Sequence, residues 1–104
     1  LLTGDAGAPT ETALLRGGQV PRADVLKVGH HGSRTATTPA FLAAVAPRAA
    51  LLSCGRENRF GHPAPQTLET LDAARVHLFR TDRISDVRLE LSPGATRATW
   101  RGLP

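Results

Sequence analysis

The sequence predicts a single α/β domain, and three observations carry this prediction. Short apolar runs alternate with segments of helical pattern in the order β-α-β-α-β-α-β, which favours helices layered on a sheet. The last two runs alternate apolar and polar residues around a Pro-Gly turn, which indicates a terminal hairpin. A chain of 104 residues also has room for only one modest core.

The position of each element follows from periodicity and from helix breakers. Four apolar runs predict strands, over residues 1–3, 23–29, 48–55 and 76–81. Three segments with apolar residues at helical spacing predict helices, over 10–18, 37–47 and 65–75. Thr38 is the expected N-cap of the second helix, with Pro39 in its first turn. The hairpin strands are expected over 86–92 and 95–100.

Composition limits the classes of function. The formal charge is +4, and twelve of the thirteen basic residues are Arg, whose guanidinium group suits bidentate phosphate contacts. This charge permits a polyanionic substrate without requiring one. With three Phe, one Trp and no Tyr, no aromatic platform for stacking bases is expected. The single cysteine, Cys54, excludes an internal disulfide and a CxxC metal knuckle.

The apolar runs and the first residues of the sequence bear on membrane insertion and on whether the chain is part of a longer protein. No apolar run approaches the roughly 18 residues needed to span a bilayer, and no signal-peptide pattern opens the sequence. The chain contains no Met and begins within an apparent strand. We therefore expect it to be a piece of a longer protein.

Two adjacent histidines, His30 and His31, follow the second predicted strand directly before Gly32. A strand end followed by glycine holds imidazoles on a rigid element that faces an opening, as a metal or phosphate site requires. Successive residues of a strand point to opposite faces. We therefore expect one histidine to bind a metal and the other to contact substrate or pack against the loop.

Asp5 follows the first predicted strand, after Gly4. It is either a turn-forming residue or a carboxylate at the carboxyl end of a strand, where α/β folds build their sites. If the first two strands are neighbours, Asp5 and one histidine project into the same crevice. A carboxylate with an imidazole suits a divalent cation such as Zn or Mn.

A polar loop follows the third predicted strand and contains Asn58 and His62 between arginines. Its amide, imidazole and guanidinium groups would gather at the mouth of the site to hold phosphate oxygens. The alternative is a solvated loop in which His62 precedes Pro63 for conformational reasons. Arg80, at the end of the next strand, is expected in an ion pair or a turn rather than on a phosphate.

Three stretches carry a resemblance to a known family. "LLTGDA", "ADVLKVGHHGSRTATTPAFLAAVAPRAALLSCGRENRFGHP" and "LFRTD", in this order, resemble the C-terminal half of the metallo-β-lactamase-like domain of the ComEC family of DNA-internalisation competence proteins. The resemblance weakens after Asp82, because the residues over 83–85 lack the glycine that the family usually has there. The "HxHxDH"-type ligand motif of the family's N-terminal half does not occur in these residues.

The resemblance implies that residues 1–104 form half of an αββα sandwich with a dinuclear metal-hydrolase site. Asp5 would bridge two divalent cations, Zn or Mn. His31 would complete one of them in preference to His30, because it directly precedes the glycine turn. The other histidine and His62 would donate hydrogen bonds or a proton to the leaving group. Four residues would contact the substrate: Ser33, Arg56, Asn58 and Arg59.

The resemblance also implies a function and a location. The parent protein would be a phosphodiesterase or nuclease that acts on DNA, in particular a single strand, during DNA uptake at the bacterial cell membrane. Its partners would be the membrane-embedded channel region of the same chain and other DNA-uptake proteins, and this domain would lie outside the bilayer. The alternatives are a hydrolase of another ester or lactone, and a non-catalytic remnant that binds polyanions through Arg.

The half-domain interpretation makes two predictions about the chain alone. The 104 residues by themselves are expected to be inactive, because a two-metal site needs more ligands than they provide. One apolar sheet face, including Val25 and Leu51, is expected to lie open where the absent half would pack.

Overall fold

Three parallel strands form the central sheet in the order β1-β2-β3. Their bounds are Val25–Lys27 for β1, Ala49–Leu52 for β2 and His77–Arg80 for β3. A computed structural model describes residues 1–102 of the chain, apart from the side chain of Trp100. The strands are shorter than the apolar runs that predict them, but all three predicted positions are confirmed.

The start of the chain lies along the edge of this sheet. The predicted first strand is reduced to one parallel bridge between Leu2 and Lys27. The terminal amine of Leu1 donates to the Val25 carbonyl at 2.8 Å, and the Lys27 amide donates to the Leu1 carbonyl at 2.9 Å. The bridge stops there because the chain turns at Gly4, which has a φ of +57°. The first two predicted strands are therefore neighbours.

Three helices connect and cover the strands. They are α1 Ala8–Arg16, α2 Pro39–Val45 and α3 Pro65–Ala73. The predicted N-cap is confirmed, because the Thr38 hydroxyl accepts a hydrogen bond from the Phe41 amide at 3.3 Å. The predicted first helix begins two residues earlier than expected, with Gly7 at its N-cap and a proline in its first turn.

The core lies between the helices and one face of the sheet. Alternate residues of β1 and β2, and Val28 directly after β1, are fully buried there: Leu26, Val28, Ala50 and Leu52. Phe41, Leu42 and Val45 of α2 and Leu71 of α3 pack against them. This alternation follows from the period of two along a strand.

The other sheet face is only partly covered. Val25 and Leu51, expected to lie open, are half-buried. The hairpin, formed by β4 Ile84–Ser92 and β5 Ala95–Gly102, lies over this face. A cavity of about 510 Å³ between them is lined by residues of both, including Val25 and Leu89. The chain is thus a mixed α/β structure with a parallel and an antiparallel sheet, and the predicted terminal hairpin is confirmed.

Candidate functional site

A cavity of about 380 Å³ lies at the carboxyl end of the parallel sheet, where α/β folds build their sites. Eight residues line it: Asp5, His30, His31, Cys54, Gly55, Asn58, Phe60 and His62. The structure therefore brings Asp5 together with three of the four histidines of the chain. We call this the histidine cavity.

The two adjacent histidines form a left-handed turn within the 3-10 segment Gly29–Gly32. His30 has φ 48° and ψ 45°, and His31 has φ 56° and ψ 26°. Because both residues have left the strand, the expectation that they point to opposite faces is wrong. Both rings line the histidine cavity, with their centroids 6.4 Å apart. Left-handed non-glycine residues are sparsely populated and cluster at functional sites.

A backbone carbonyl fixes the orientation of His31. Its Nδ1 lies 2.9 Å from the carbonyl oxygen of Ser53, just beyond β2. Because a carbonyl oxygen only accepts, Nδ1–H is the donor, and Nε2 is the ring nitrogen left for a ligand. Metal-binding histidines are oriented by such a bond from their other ring nitrogen. His31 thus has the kind of hydrogen bond that orients metal-binding histidines.

The Ser53 carbonyl is itself held in place by the end of β3. The Cys54 amide donates to the Thr81 hydroxyl oxygen at 3.0 Å, and that hydroxyl donates to the Cys54 carbonyl at 3.1 Å. The Thr81 amide donates to the Leu52 carbonyl at 3.0 Å. The orientation of His31 therefore depends on contacts that extend to the third strand.

Asp5 is exposed in the turn that follows the edge segment. The Gly4 carbonyl before it accepts a hydrogen bond from the His30 amide at 2.9 Å, which joins the aspartate turn to the histidine turn. Within residues 1–102 the Asp5 carboxylate makes no salt bridge. It is therefore available to a ligand in the histidine cavity.

Asn58 organises the loop that carries His62. Its side-chain amide donates to the carbonyls of Gly55 and His62, at 2.9 and 2.6 Å. Its Oδ1 accepts from the amides of Phe60 and His62, at 3.1 and 3.0 Å. All four bonds of an asparagine amide are thus formed within the loop. The predicted contact between Asn58 and substrate stays a prediction, while its role in shaping the loop is visible.

The histidine turn and the His62 loop pack directly on each other at Gly32. A Cβ atom at this position would lie 2.8 Å from the Cβ of Pro63 and 3.1 Å from Leu52 Cδ1, and its φ is +81°. The Ala64 amide also donates to the Gly32 carbonyl at 2.9 Å. Glycine is required here for both backbone and space. The close contact sets the His30 and His62 ring centroids 5.9 Å apart.

A buried carboxylate, Glu11, supports the site and is absent from the sequence-based site prediction. This α1 residue is 1% exposed, and its two oxygens accept from the Thr37 and Thr38 amides at 2.6 and 2.8 Å. The Thr37 hydroxyl in turn accepts from the Gly29 amide at 3.4 Å. Nothing in the local sequence distinguishes Glu11 from an ordinary acidic residue in a first helical turn.

Charged groups also surround the end of β3. Arg80 and Asp82 form a two-bonded ion pair, with distances of 3.0 and 2.7 Å, as the ion-pair interpretation of Arg80 predicts. Hydrogen bonding from Arg80 lowers the pKa of the Asp82 carboxyl. Burial raises the pKa of the Cys54 thiol, and the Asp82 charge raises it further. Cys54 therefore faces the histidine cavity as a neutral thiol.

The other predicted substrate contacts lie outside the cavity lining. Ser33 is buried beneath the histidine turn, and its hydroxyl is 2.9 Å from the Thr35 hydroxyl. Arg56 and Arg59 are exposed on the loop. The Arg59 guanidinium carbon lies 5.7 Å from the centroid of the Phe60 ring.

The donor set suits part of a metal site. Carboxylate and imidazole groups are ligands for Zn and Mn, and Asp5 and His31 present them to one cavity. Among residues 1–102, however, no three His, Cys, Asp or Glu side chains form a group that would hold a metal ion. The described residues thus offer fewer donors than the three that a catalytic zinc usually takes from its protein.

Comparison with known proteins finds similarity to segments of three bacterial proteins. It is 37% identical over 83 residues to "ComE operon protein 3" of Bacillus subtilis, which covers 80% of this chain and 11% of that protein. It is 35% identical over 100 residues to "Competence protein ComA" of Neisseria gonorrhoeae, covering 94% of this chain and 14% of that protein. It is 44% identical over 89 residues to "Recombination protein 2" of Haemophilus influenzae, covering 86% and 11%.

The chain is homologous to a segment of these proteins. It spans only 11–14% of their length. No protein-family profile and no solved structure matches it. None of the helices in residues 1–102 is long and apolar enough to cross a membrane.

Proposed function

We propose that this chain is the C-terminal half of a metallo-β-lactamase-like domain in a ComEC-type competence protein, and that it supplies part of a metal-dependent phosphodiesterase site acting on DNA. The observation that carries the proposal is the convergence of Asp5, His30, His31 and His62 on one cavity at the carboxyl end of the sheet. The homology to competence proteins supports the assignment to DNA uptake.

The half-covered sheet face supports the half-domain proposal. Val25 and Leu51 stay half-buried although the hairpin lies over them, and a cavity of about 510 Å³ separates the hairpin from this face near Val25, whereas a complete two-layer sandwich packs its two sheets closely. The rest of the parent protein would provide that second sheet and the remaining metal ligands. It would also provide the membrane-embedded channel at the bacterial cell membrane, and this domain would lie outside the bilayer beside other DNA-uptake proteins.

Two residues of the chain would hold the cations. The exposed Asp5 carboxylate would bridge them, and the Nε2 lone pair of His31 would bind one of them, because the bond to Ser53 commits its Nδ1. Divalent cations at this position would supply Lewis acidity and an activated water for attack on a phosphodiester.

The remaining cavity residues would act on the substrate. The His30 and His62 rings, 5.9 Å apart, would donate hydrogen bonds or a proton to the leaving oxygen. Arg56 and Arg59 lie on the exposed face of the same loop, where they would offset phosphate charge. The neutral thiol of Cys54 adds no negative charge that would repel a phosphate.

The test compares Asp5→Asn with a matched control in the full-length protein. Asp24→Asn is that control, because Asp24 is also exposed but lies at the opposite end of β1. We expect Asp5→Asn to lower the hydrolysis of single-stranded DNA by more than about 100-fold, the upper limit for residues that merely support a ligand. Asp24→Asn should leave it unchanged.

Two outcomes would contradict the proposal. Near-normal DNA hydrolysis by Asp5→Asn would show that Asp5 is not part of the catalytic site. Hydrolysis of a lactone or another ester by the wild-type protein, without hydrolysis of DNA, would favour the alternative substrate class.

A further inference from the structure

Phe60 is an exposed aromatic residue at the histidine cavity. It is 71% exposed although it lines the cavity. Among the described residues, the other large exposed hydrophobic side chains are Leu2 and Leu91, and neither lines this cavity. An apolar ring that faces water beside a group of polar side chains is available to a ligand.

The loop holds the backbone of Phe60 in position. Its backbone amide donates to Asn58 Oδ1, and the same oxygen accepts from the His62 amide. Its ring lies 5.8 Å from the His62 ring, with an interplanar angle of 32°. A ligand that stacks on Phe60 therefore meets a loop backbone that is already ordered, which lowers the entropy cost of binding.

The rings beside Phe60 form a row that ends at the proposed metal ligand. Centroid separations are 5.8 Å from Phe60 to His62, 5.9 Å from His62 to His30 and 6.4 Å from His30 to His31. The Arg59 cation lies 5.7 Å from the Phe60 centroid. The site thus combines an aromatic face, a cation and imidazole donors, which suit a planar group attached to a phosphate.

We propose that Phe60 stacks on an unpaired nucleobase next to the phosphate that the histidine cavity binds. The inference rests on the proposed function, since it adds a base contact to the same phosphodiesterase site. Stacking needs a free base face, and bases within a duplex have both faces covered by their neighbours. Phe60 would therefore make the site select single strands, although the composition predicts no stacking platform.

The experiment uses the full-length protein and two oligonucleotides of equal length and phosphate number, a normal single strand and one made of abasic nucleotides. The equilibrium dissociation constant and the cleavage rate are measured for wild type, Phe60→Ala and Phe60→Trp. Leu91→Ala is the matched control, because Leu91 is 72% exposed and lies outside the cavity.

We expect Phe60→Ala to weaken binding of the normal strand by roughly 5- to 100-fold, the range for loss of one stacked base. It should leave binding of the abasic strand unchanged. Phe60→Trp should restore binding of the normal strand, and Leu91→Ala should resemble wild type with both strands.

Equal weakening of both strands by Phe60→Ala, or no weakening of either, would overturn the stacking role. Equal binding of both strands by the wild type would also overturn it. In each of these cases a wild-type protein that still cleaves DNA leaves the proposed function intact. A wild-type protein that neither binds nor cleaves either strand would overturn the proposed function and the stacking role together.

Discussion

The part of the chain up to Asp82 and the hairpin over 84–102 engage their polar groups differently. In the first part the carboxylate of Glu11 is buried with two backbone donors, and the Arg80–Asp82 pair is 19% and 11% exposed. In the hairpin, the Arg88–Glu90 pair is 76% and 52% exposed. Every residue that lines the histidine cavity belongs to the first part.

This difference indicates which part of the molecule is more sensitive to substitution. Buried polar contacts such as those of Glu11 are costly to break, whereas exposed ion pairs contribute little. Substitutions of similar chemistry should therefore have large effects in the first part and small effects in the hairpin.

Gly32→Ala should have the largest effect. The new Cβ would meet Pro63 at 2.8 Å while the backbone keeps a φ of +81°. We expect a loss of about 2–4 kcal/mol in the free energy of unfolding, from overpacking and left-handed strain together. Gly94→Ala in the hairpin is the control, since its φ is +75° but nothing lies within 4 Å of the new Cβ. Equal losses in urea unfolding of the two variants would show that crowding at Pro63 is unimportant.

Glu11→Gln should lower the free energy of unfolding by nearly as much. One carboxylate oxygen becomes an NH₂ group that faces a backbone N–H at the start of α2, so a buried donor loses its acceptor. We expect a loss of about 2–3 kcal/mol. Glu69→Gln, on the exposed surface of α3, should cost nothing measurable. A stability of Glu11→Gln equal to that of Glu69→Gln would contradict the capping role.

Asp82→Asn should cost about 1–2 kcal/mol at neutral pH, because it removes the charge that pairs with Arg80. The folded-state pKa of Asp82 is lowered, so the pair stabilises the fold above the unfolded pKa of about 3.9. This stabilisation is lost as pH falls through the lower, folded-state pKa. The stability difference between wild type and Asp82→Asn should therefore be constant above about pH 5 and shrink in stronger acid. A difference that stays constant throughout the acid range would contradict the assigned pKa direction.

Arg88→Ala should have the smallest effect. Its partner Glu90 and Arg88 itself are both mostly exposed, and exposed ion pairs of this kind are screened by water and salt. The midpoint of thermal unfolding should not change beyond error. A loss of stability as large as that expected for Asp82→Asn would contradict the difference between the two parts of the chain.

Much of the fold was accessible from the sequence because it depends on local patterns. The apolar runs around Leu26, Ala50 and Leu78 predict the parallel strands, and the Pro-Gly pair predicts the hairpin. Thr38 acts as the N-cap because capping involves residues only three positions apart. These features require no knowledge of distant contacts.

The parts of the site that escaped sequence reasoning depend on contacts between distant segments. The left-handed turn that brings His30 and His31 to one cavity is held by Gly4 and Ser53. Glu11 reaches backbone amides 26 and 27 positions away. The residues next to each of these positions in the sequence do not indicate which distant residue it contacts. The sequence therefore predicts that Asp5, His30, His31 and His62 meet at one site, but not how the surrounding loops position them.

The metal content of the full-length protein tests whether His31 binds a metal ion. Wild type, His31→Ala and His77→Ala would each be purified, and bound Zn and Mn measured per chain. His77 is the control because it is an exposed histidine on β3 that does not line the histidine cavity. We expect His31→Ala to lose bound metal and His77→Ala to keep the wild-type amount. Full metal content in His31→Ala, or equal losses in both variants, would contradict the assignment of His31 as a ligand.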